Sequence, residues 1–350
     1  MGRLFLPLFF LFAGASLTVE AQRESSFGIS GHLGSFLTKV SKADFLKDSY
    51  SSYLQAGWSR QSLLAKRTKL GISVIHGNTG SRTYLGTASA LLGTVDLQLL
   101  GKGWYRINGR IGFGPGWIGK PYDLERNHKN TLIGSHLNAA LQLQLLQEVR
   151  IGKHWTWLGG LSFLHFSNGT SSLPNLGLNI PAFTTGLAYR TNTGTPSLRP
   201  AGADSARKRQ YWQAWMTAGA KQHPLVNSPL RLVNGAALEW SRERRANSRY
   251  GALLQFFRDG SPRSPFDTVM IKAGGGGIGI AAAAHYTGVI GRLELPLQLG
   301  VYLFNRRDAN SLYQSLGIRY RLSRHWLAGL HLKTHMGKAD YFHAGFGYQW

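Results

Sequence analysis

The chain has no cysteine and only 16 acidic residues. After its first 21 positions it also lacks any apolar run of the length a membrane helix needs. The missing cysteine rules out disulfide staples and thiolate chemistry. The missing apolar runs rule out a bilayer-spanning helix. Against the few acids stand 40 basic residues, for a net charge of +24. In a cytosolic protein that excess would point to nucleic acid. In an exported one it points to anionic headgroups and lipid phosphates instead.

The first residues indicate export. Arg3 precedes an apolar stretch from Leu4 to Leu17, and Val19-Glu20-Ala21 offers small residues at the −3 and −1 positions. Residues 1–21 therefore read as a signal peptide cut after Ala21. The whole chain is 43% hydrophobic and 12% aromatic, with 44 glycines.

Apolar residues alternate with polar or small ones along much of the chain. Phe342, Ala344, Phe346, Tyr348 and Trp350 share one parity, while His343, Gly345, Gly347 and Gln349 share the other. Successive strand side chains point to opposite faces, so such a segment has one apolar and one polar face. A soluble sandwich produces the same alternation. Strands near ten residues, aromatics at strand ends, turns that alternate short and long, and a terminal aromatic favour a transmembrane barrel. Strands are expected near 27–37, 51–60, 68–76, 84–98, 102–113, 131–148, 154–167, 179–190, 210–222, 230–242, 247–258, 279–290, 296–304, 311–321, 325–336 and 340–350. The expected fold is all-β: one antiparallel transmembrane β-barrel over residues 22–350, of about 16 strands with 12–16 allowed. An even count puts both termini on the periplasmic side, where "AKRTK", "SARKRQ", "SRERRANSR" and "RLSRH" concentrate basic charge.

The stretch "LHFSNGTSSLPNLGLN", residues 164–179, carries the candidate chemistry. His165 and Ser167, at i and i+2, lie side by side on the face shared with Trp155, Trp157, Leu161 and Phe163. A loop then allows Asn179 to return beside them on the next strand. A serine hydroxyl needs an imidazole to take its proton, and the imidazole needs a partner to hold its tautomer. Asn168 and the Gly169 amide follow the nucleophile closely enough to stabilise an oxyanion. Ser-Asn-Gly is also ordinary turn chemistry, and spacing alone leaves both readings open. A polar pair on a lipid face tilts the balance towards function.

"HFSNG", "LPNLGLN" and "GLAYR", with "RIGFGPGWIGKPYD" and "LIGSHLNAAL" upstream, resemble the lipid A 3-O-deacylase family of outer-membrane esterases, whose larger relatives are called acyloxyacyl hydrolases. The resemblance runs over roughly residues 104–190. It implies an esterase barrel with His165 and Ser167 as base and nucleophile and Asn168 and Asn175 in support. The family's best-known members have glutamate twelve positions after the serine, where this chain has Asn179. A Ser-His-Asn pattern of that spacing is also similar to outer-membrane phospholipase A, which uses calcium. Ser135 shares the lipid-facing parity with Ile133, Leu137, Leu141 and Leu143, and strand pairing would bring it near Ser167. It reads either as a small residue tolerated beside the site or as a calcium or substrate contact.

The resemblance therefore implies a hydrolase acting on an outer-membrane lipid, either lipid A or a phospholipid. It implies no nucleic-acid partner and no cofactor, apart from calcium under the phospholipase alternative; a homodimer is compatible with it. Lys39, Lys42, Arg126 and Lys129 are candidates for holding lipid phosphates. The competing class is a non-catalytic porin-like barrel, since larger barrels leave a lumen. "GPGWIG" at 114–119 lacks a following helix and "GGGGIG" at 274–279 lacks the Lys-Ser/Thr of a P-loop, so neither reads as a nucleotide site. His331, His335 and His343 share no carboxylate or thiolate motif, and no metal site is assigned.

Overall fold

The computed structural model describes residues 24–37, 41–62, 67–191, 209–222, 226, 228–245, 247–261, 277–305, 312–336 and 338–350. The expected signal peptide lies outside them. Sixteen strands follow one another: β1 (Ser25–Gly34), β2 (Ser51–Gln61), β3 (Thr68–Asn78), β4 (Thr87–Lys102), β5 (Tyr105–Ile118), β6 (Leu137–Ile151), β7 (Trp155–Ser167), β8 (Leu178–Arg190), β9 (Gln210–Lys221), β10 (Arg231–Arg245), β11 (Ser248–Asp259), β12 (Gly277–Ile290), β13 (Leu293–Asn305), β14 (Leu312–Arg321), β15 (Trp326–His335) and β16 (Lys338–Gln349). Every pairing is antiparallel, and a short 3-10 segment, Ser41–Leu46, interrupts the β1–β2 connection.

The strand count matches the expectation, but the single barrel over 22–350 does not hold. β1–β8 close on themselves and β9–β16 close separately, as two eight-stranded barrels. β8 returns to β1, from Ser26↔Arg190 to Gly34↔Ala182. β16 returns to β9, from His343↔Gly219 to Gln349↔Gln213. Alternation reports which side chains face inward. It does not report which strand the last one finds, so a row of sixteen and two rows of eight look alike in sequence.

Closure at eight leaves an interior that side chains can fill. In the first barrel, the half nearer the tight turns is polar. Arg110 forks onto Asp96 at 2.5 and 2.8 Å, and Gln55 exchanges 3.0 Å hydrogen bonds with Gln142. The half under the long loops is an apolar plug that includes Phe36, Leu46, Leu85, Leu132, Leu164 and Phe166. The second barrel is filled largely by charge. Arg319 forks onto Glu239 at 2.9 and 2.8 Å, and Lys221 bridges Asp340 at 2.6 Å and Asp259 at 3.1 Å.

The outer faces are apolar, with Ile29, Leu54, Leu161, Phe183, Leu254 and Phe346 exposed. Trp155, Trp157, Tyr189, Trp212, Trp326 and Tyr348 gather near the tight-turn ends. An apolar belt this continuous would be unstable in water and suits a bilayer, so these strands are read as membrane-spanning. At the opposite end of the first barrel the connections are longer, over residues 35–50, 79–86, 119–136 and 168–177.

Arg319 gives a direct test of the charged filling. Replacing it by leucine leaves Glu239 buried without its guanidinium, which costs about 3–5 kcal/mol, whereas an apolar pair at both positions costs far less. Urea unfolding in lipid vesicles should show a large drop in midpoint for Arg319→Leu and substantial recovery in the Arg319→Met/Glu239→Leu double variant.

Candidate active site

β7 delivers His165 and Ser167 to the outer face at its loop end, because Leu164 and Phe166 take the inward positions in the apolar plug. The β7–β8 register sets His165 directly opposite Asn179. Their side chains meet, with His165 Nδ1 2.7 Å from Asn179 Oδ1. An amide oxygen can only accept, so His165 carries its proton on Nδ1 and leaves Nε2 as the basic nitrogen. Asn179 is held in turn through its backbone, whose carbonyl accepts the Leu37 N–H at 2.7 Å.

Ser167 lies beyond His165 on the same face and is 4% exposed, covered by the β7–β8 loop. Its hydroxyl donates to Asn175 Oδ1 at 3.2 Å and accepts from Asn175 Nδ2 at 3.1 Å. The Gly169 N–H donates to Ser167 Oγ at 3.4 Å. The sequence reading named Asn168 and Gly169 as oxyanion donors, and the geometry redistributes those parts. Asn168 Nδ2 donates to Ser135 Oγ at 2.9 Å and to the Ser172 carbonyl at 2.8 Å. The Asn168 N–H donates to Asn175 Oδ1 at 3.2 Å. Asn168 thus fastens the loop, while the donors aimed at the serine oxygen are the Gly169 N–H and Asn175 Nδ2. Ser135 is brought to the site as expected, but its hydroxyl accepts from Asn168 and donates to the Leu137 carbonyl at 2.9 Å. That favours a supporting part.

Gly177 has no counterpart in the sequence reading. Its φ is +80°, and a Cβ there would lie 2.8 Å from His165 Cε1. The glycine both allows the turn and leaves room for the imidazole. The only sequence signal was its place in "PNLGLN".

The loops beside the site are stiffened by side-chain caps. Asn130 accepts the N–H groups of Leu132 and Ile133 and donates to the Tyr84 and Lys120 carbonyls. Asp48 accepts the Arg82 and Thr83 N–H groups, both at 2.8 Å. Slight desolvation pushes the Asp48 carboxyl up, but those two amides outweigh it and hold it down at about 2. Arg126 and Lys129 are exposed on the 119–136 loop, whereas Lys39 and the side chain of Lys42 lie outside the described residues. His331 and His343 stack inside the second barrel at 5.1 Å, and His335 meets the Tyr302 hydroxyl at 2.9 Å. "GPGWIG" runs through β5 into the loop after it, and residues 274–276 of "GGGGIG" lie outside the described residues.

A covered serine whose oxygen accepts from the Gly169 N–H and Asn175 Nδ2, on the same strand face as an imidazole paired with an amide, brings together the residue types that acyl transfer uses. Residues 48–188 match the family described as Lipid A 3-O-deacylase (PagL), and residues 210–350 match the one described as Acyloxyacyl hydrolase, C-terminal domain. The chain belongs to this lipid A 3-O-deacylase and acyloxyacyl hydrolase family. The first match begins well upstream of 104–190, the span of the motif resemblance.

No curated protein matches the chain. Among solved structures it is similar to the TodX deltaS2S3 mutant monoaromatic hydrocarbon channel, with TM-score 0.18, 8% identity, and coverage of 93% of this chain and 89% of that one. It is also similar to an outer-membrane channel from Pseudomonas putida F1, with TM-score 0.23, 10% identity, and coverage of 96% and 98%. At those scores the likenesses carry no argument about this chain.

Two outcomes follow from the local geometry. Gly177→Ala imposes a left-handed alanine and a clash with the imidazole. It should cost about 1–2 kcal/mol of stability and shift the ring signals of His165 in protein labelled at histidine. The Asp48 cap has a depressed folded-state pKa, so its contribution is complete above the unfolded value near 3.8 and fades as pH falls towards 2. Amide exchange at Arg82 and Thr83, corrected for its intrinsic pH dependence, should lose protection over that window in the parent and already be weakly protected at neutral pH in Asp48→Ala.

Proposed function

We propose that the chain is an outer-membrane serine esterase that removes the 3-O-acyl group of lipid A from the outer leaflet. Ser167 Oγ attacks the ester carbonyl while His165 Nε2 takes its proton. Asn179 Oδ1 holds the Nδ1–H and so keeps the ring presented. Negative charge developing on the carbonyl oxygen is met by the Gly169 N–H and Asn175 Nδ2, which bond Ser167 Oγ in the resting protein and turn to the neighbouring carbonyl oxygen as the adduct forms. The tetrahedral adduct collapses as His165 protonates the departing sugar oxygen, leaving an acyl-serine. Water, deprotonated by the same imidazole, then releases the fatty acid and restores Ser167. Each step uses the chain's own groups and water.

The observation that carries this reading is the His165–Asn179 contact of 2.7 Å on the lipid-facing side of the barrel, next to a covered serine. Family membership supports lipid A as the substrate. Exposed Arg126 and Lys129, at the site end, supply positive charge suited to its phosphates. The export signal expected over residues 1–21 agrees with that location. The channel reading loses its footing, because it rested on the lumen of a larger barrel. The interiors of the two eight-stranded barrels hold cavities of about 40 and 30 Å3, room for a few waters.

Mass spectrometry of lipid A and of phospholipid, each incubated with refolded protein in calcium and in EDTA, tests the proposal. Loss of one hydroxyacyl group from lipid A is expected with the parent in both media and not with Ser167→Ala. Lysophospholipid formed only in calcium would instead identify a phospholipase. An active Ser167→Ala, or no turnover of either lipid by folded parent, would sink the esterase assignment. Asn179→Ala should lower kcat by about tenfold to a hundredfold through loss of the tautomer lock. Asn179→Glu, which can accept the same Nδ1–H, should keep most of the rate.

A further inference from the structure

The loop that covers Ser167 is held by both barrels. Gly169 and Thr170 are consecutive left-handed residues, with φ of +58° and +57°. Glycine adopts that conformation freely. A β-branched threonine does so only where its surroundings over-determine it. The Ser171 N–H closes this turn on the Asn168 carbonyl at 3.2 Å, and further contacts come from the second barrel. The Thr170 carbonyl accepts the Gln222 N–H at 2.7 Å. Its hydroxyl donates to the Asp340 carbonyl in a short hydrogen bond. The Leu173 N–H donates to Gln222 Oε1 at 2.8 Å. The Phe342 ring packs so closely on Gly169 that a Cβ there would run into it.

The surface making these contacts is itself fastened. Gln222 directly follows β9, and Asp340 and Phe342 belong to β16. Lys221, 94% buried, ties the two regions through Asp340 at 2.6 Å and Asp259 at 3.1 Å. The second barrel has no His-x-Ser sequence of its own, so a duplicate of the first site is not what it provides.

We propose that the second barrel is an intramolecular clamp on the catalytic loop. Gln222 and Phe342 are positioning residues that hold Gly169 and Thr170 left-handed, and so keep the Gly169 N–H aimed at the Ser167 oxygen. The inference rests on the esterase reading for its catalytic consequence, but not for the clamp itself. At 3.4 Å the Gly169 hydrogen bond is long in the resting protein. On the esterase reading the Gly169 N–H turns to the substrate's carbonyl oxygen only as charge develops there in the transition state, so its misplacement should appear in kcat and not in KM.

The test uses the full chain in vesicles, with Phe342→Ala, Gln222→Ala, the double variant and Phe342→Leu. Folding is checked first by each barrel's resistance to heat and detergent. Hydrogen exchange over residues 168–173 should rise about tenfold or more in the double variant while the β7 and β8 amides stay protected. With lipid A as substrate, kcat should fall about tenfold, KM should stay within about twofold, and Phe342→Leu should recover most of the loss. Unchanged exchange in the folded double variant overturns the clamp. Raised exchange with unchanged kcat, in a parent that is active, overturns the positioning role. A parent inactive on every lipid would defeat the esterase reading, and the exchange result alone would then decide the clamp.

Discussion

The β7–β8 register sets His165 across from Asn179 on the outer face, and the whole site depends on it. A one-residue slip of β7 would turn His165 into the apolar plug and bring Phe166 out to the lipid face, and a slip of β8 would do the same with Asn179 and Leu178. The plug is what forbids the slip. Leu164, Phe166, Leu178 and Ile180 are all essentially unexposed, and burying side chains of that size is worth about 1.5–3 kcal/mol each. Apolar packing inside the barrel therefore fixes polar geometry outside it. The polar pair contributes little to its own placement.

That arrangement also explains why so much of the fold was legible in the sequence. Period-two alternation, aromatic strand ends and turn residues report local facts, and each strand carries its own copy of them. Sixteen segments could therefore be placed within a few residues of where they stand. Closure is a relation between β1 and β8, whose paired residues Gly34↔Ala182 and Ser26↔Arg190 lie far apart in the chain, and no local pattern encodes it. The most telling residues were the buried charges. Glu239, Glu294, Arg249 and Arg319 suit the tightly filled interior of a narrow barrel, but in sequence they could equally have been lumen-facing groups of a wide one.

The site was legible to a similar depth. The placement of His165, Ser167 and Asn179 on one face was readable from the i, i+2 spacing and a returning strand, while their catalytic roles belong to the proposal. Asn175 and Ser135 were named as support, and both lie within hydrogen-bond reach of the loop. What could not be read was the division of labour. Whether Asn168 or Asn175 points its amide at Ser167 depends on the path of a ten-residue loop, and both types suit either part. Gly177 could not be distinguished from any other turn glycine until its neighbour was known to be the imidazole. Gln222 and Phe342 were invisible as partners of that loop, because a sequence read as one barrel has no inter-barrel contact to look for.

A lipid-facing site has a physical cost that the two-barrel arrangement answers. A serine esterase needs a covered, low-dielectric pocket for its oxyanion donors, yet its substrate must enter sideways from the bilayer. A loop long enough to cover Ser167 is also long enough to wander, and its own barrel anchors it at Ser172, whose hydroxyl donates to the Gly134 carbonyl at 2.6 Å, and at Asn175, bridged to Ile133. Further bonds from the Ser135 and Ser172 side fix Asn168. The Ser171 N–H also closes the Gly169–Thr170 turn on the Asn168 carbonyl at 3.2 Å, a single bond that the contacts of the second barrel reinforce. A rigid neighbour beside the loop limits that wandering while leaving the lipid-facing approach past Leu143 and Leu161 uncovered, since both remain substantially exposed. On this account the charged filling of the second barrel matters to catalysis indirectly. It makes stiff the wall against which the loop is pressed, and the geometry at Ser167 can be no more exact than that wall.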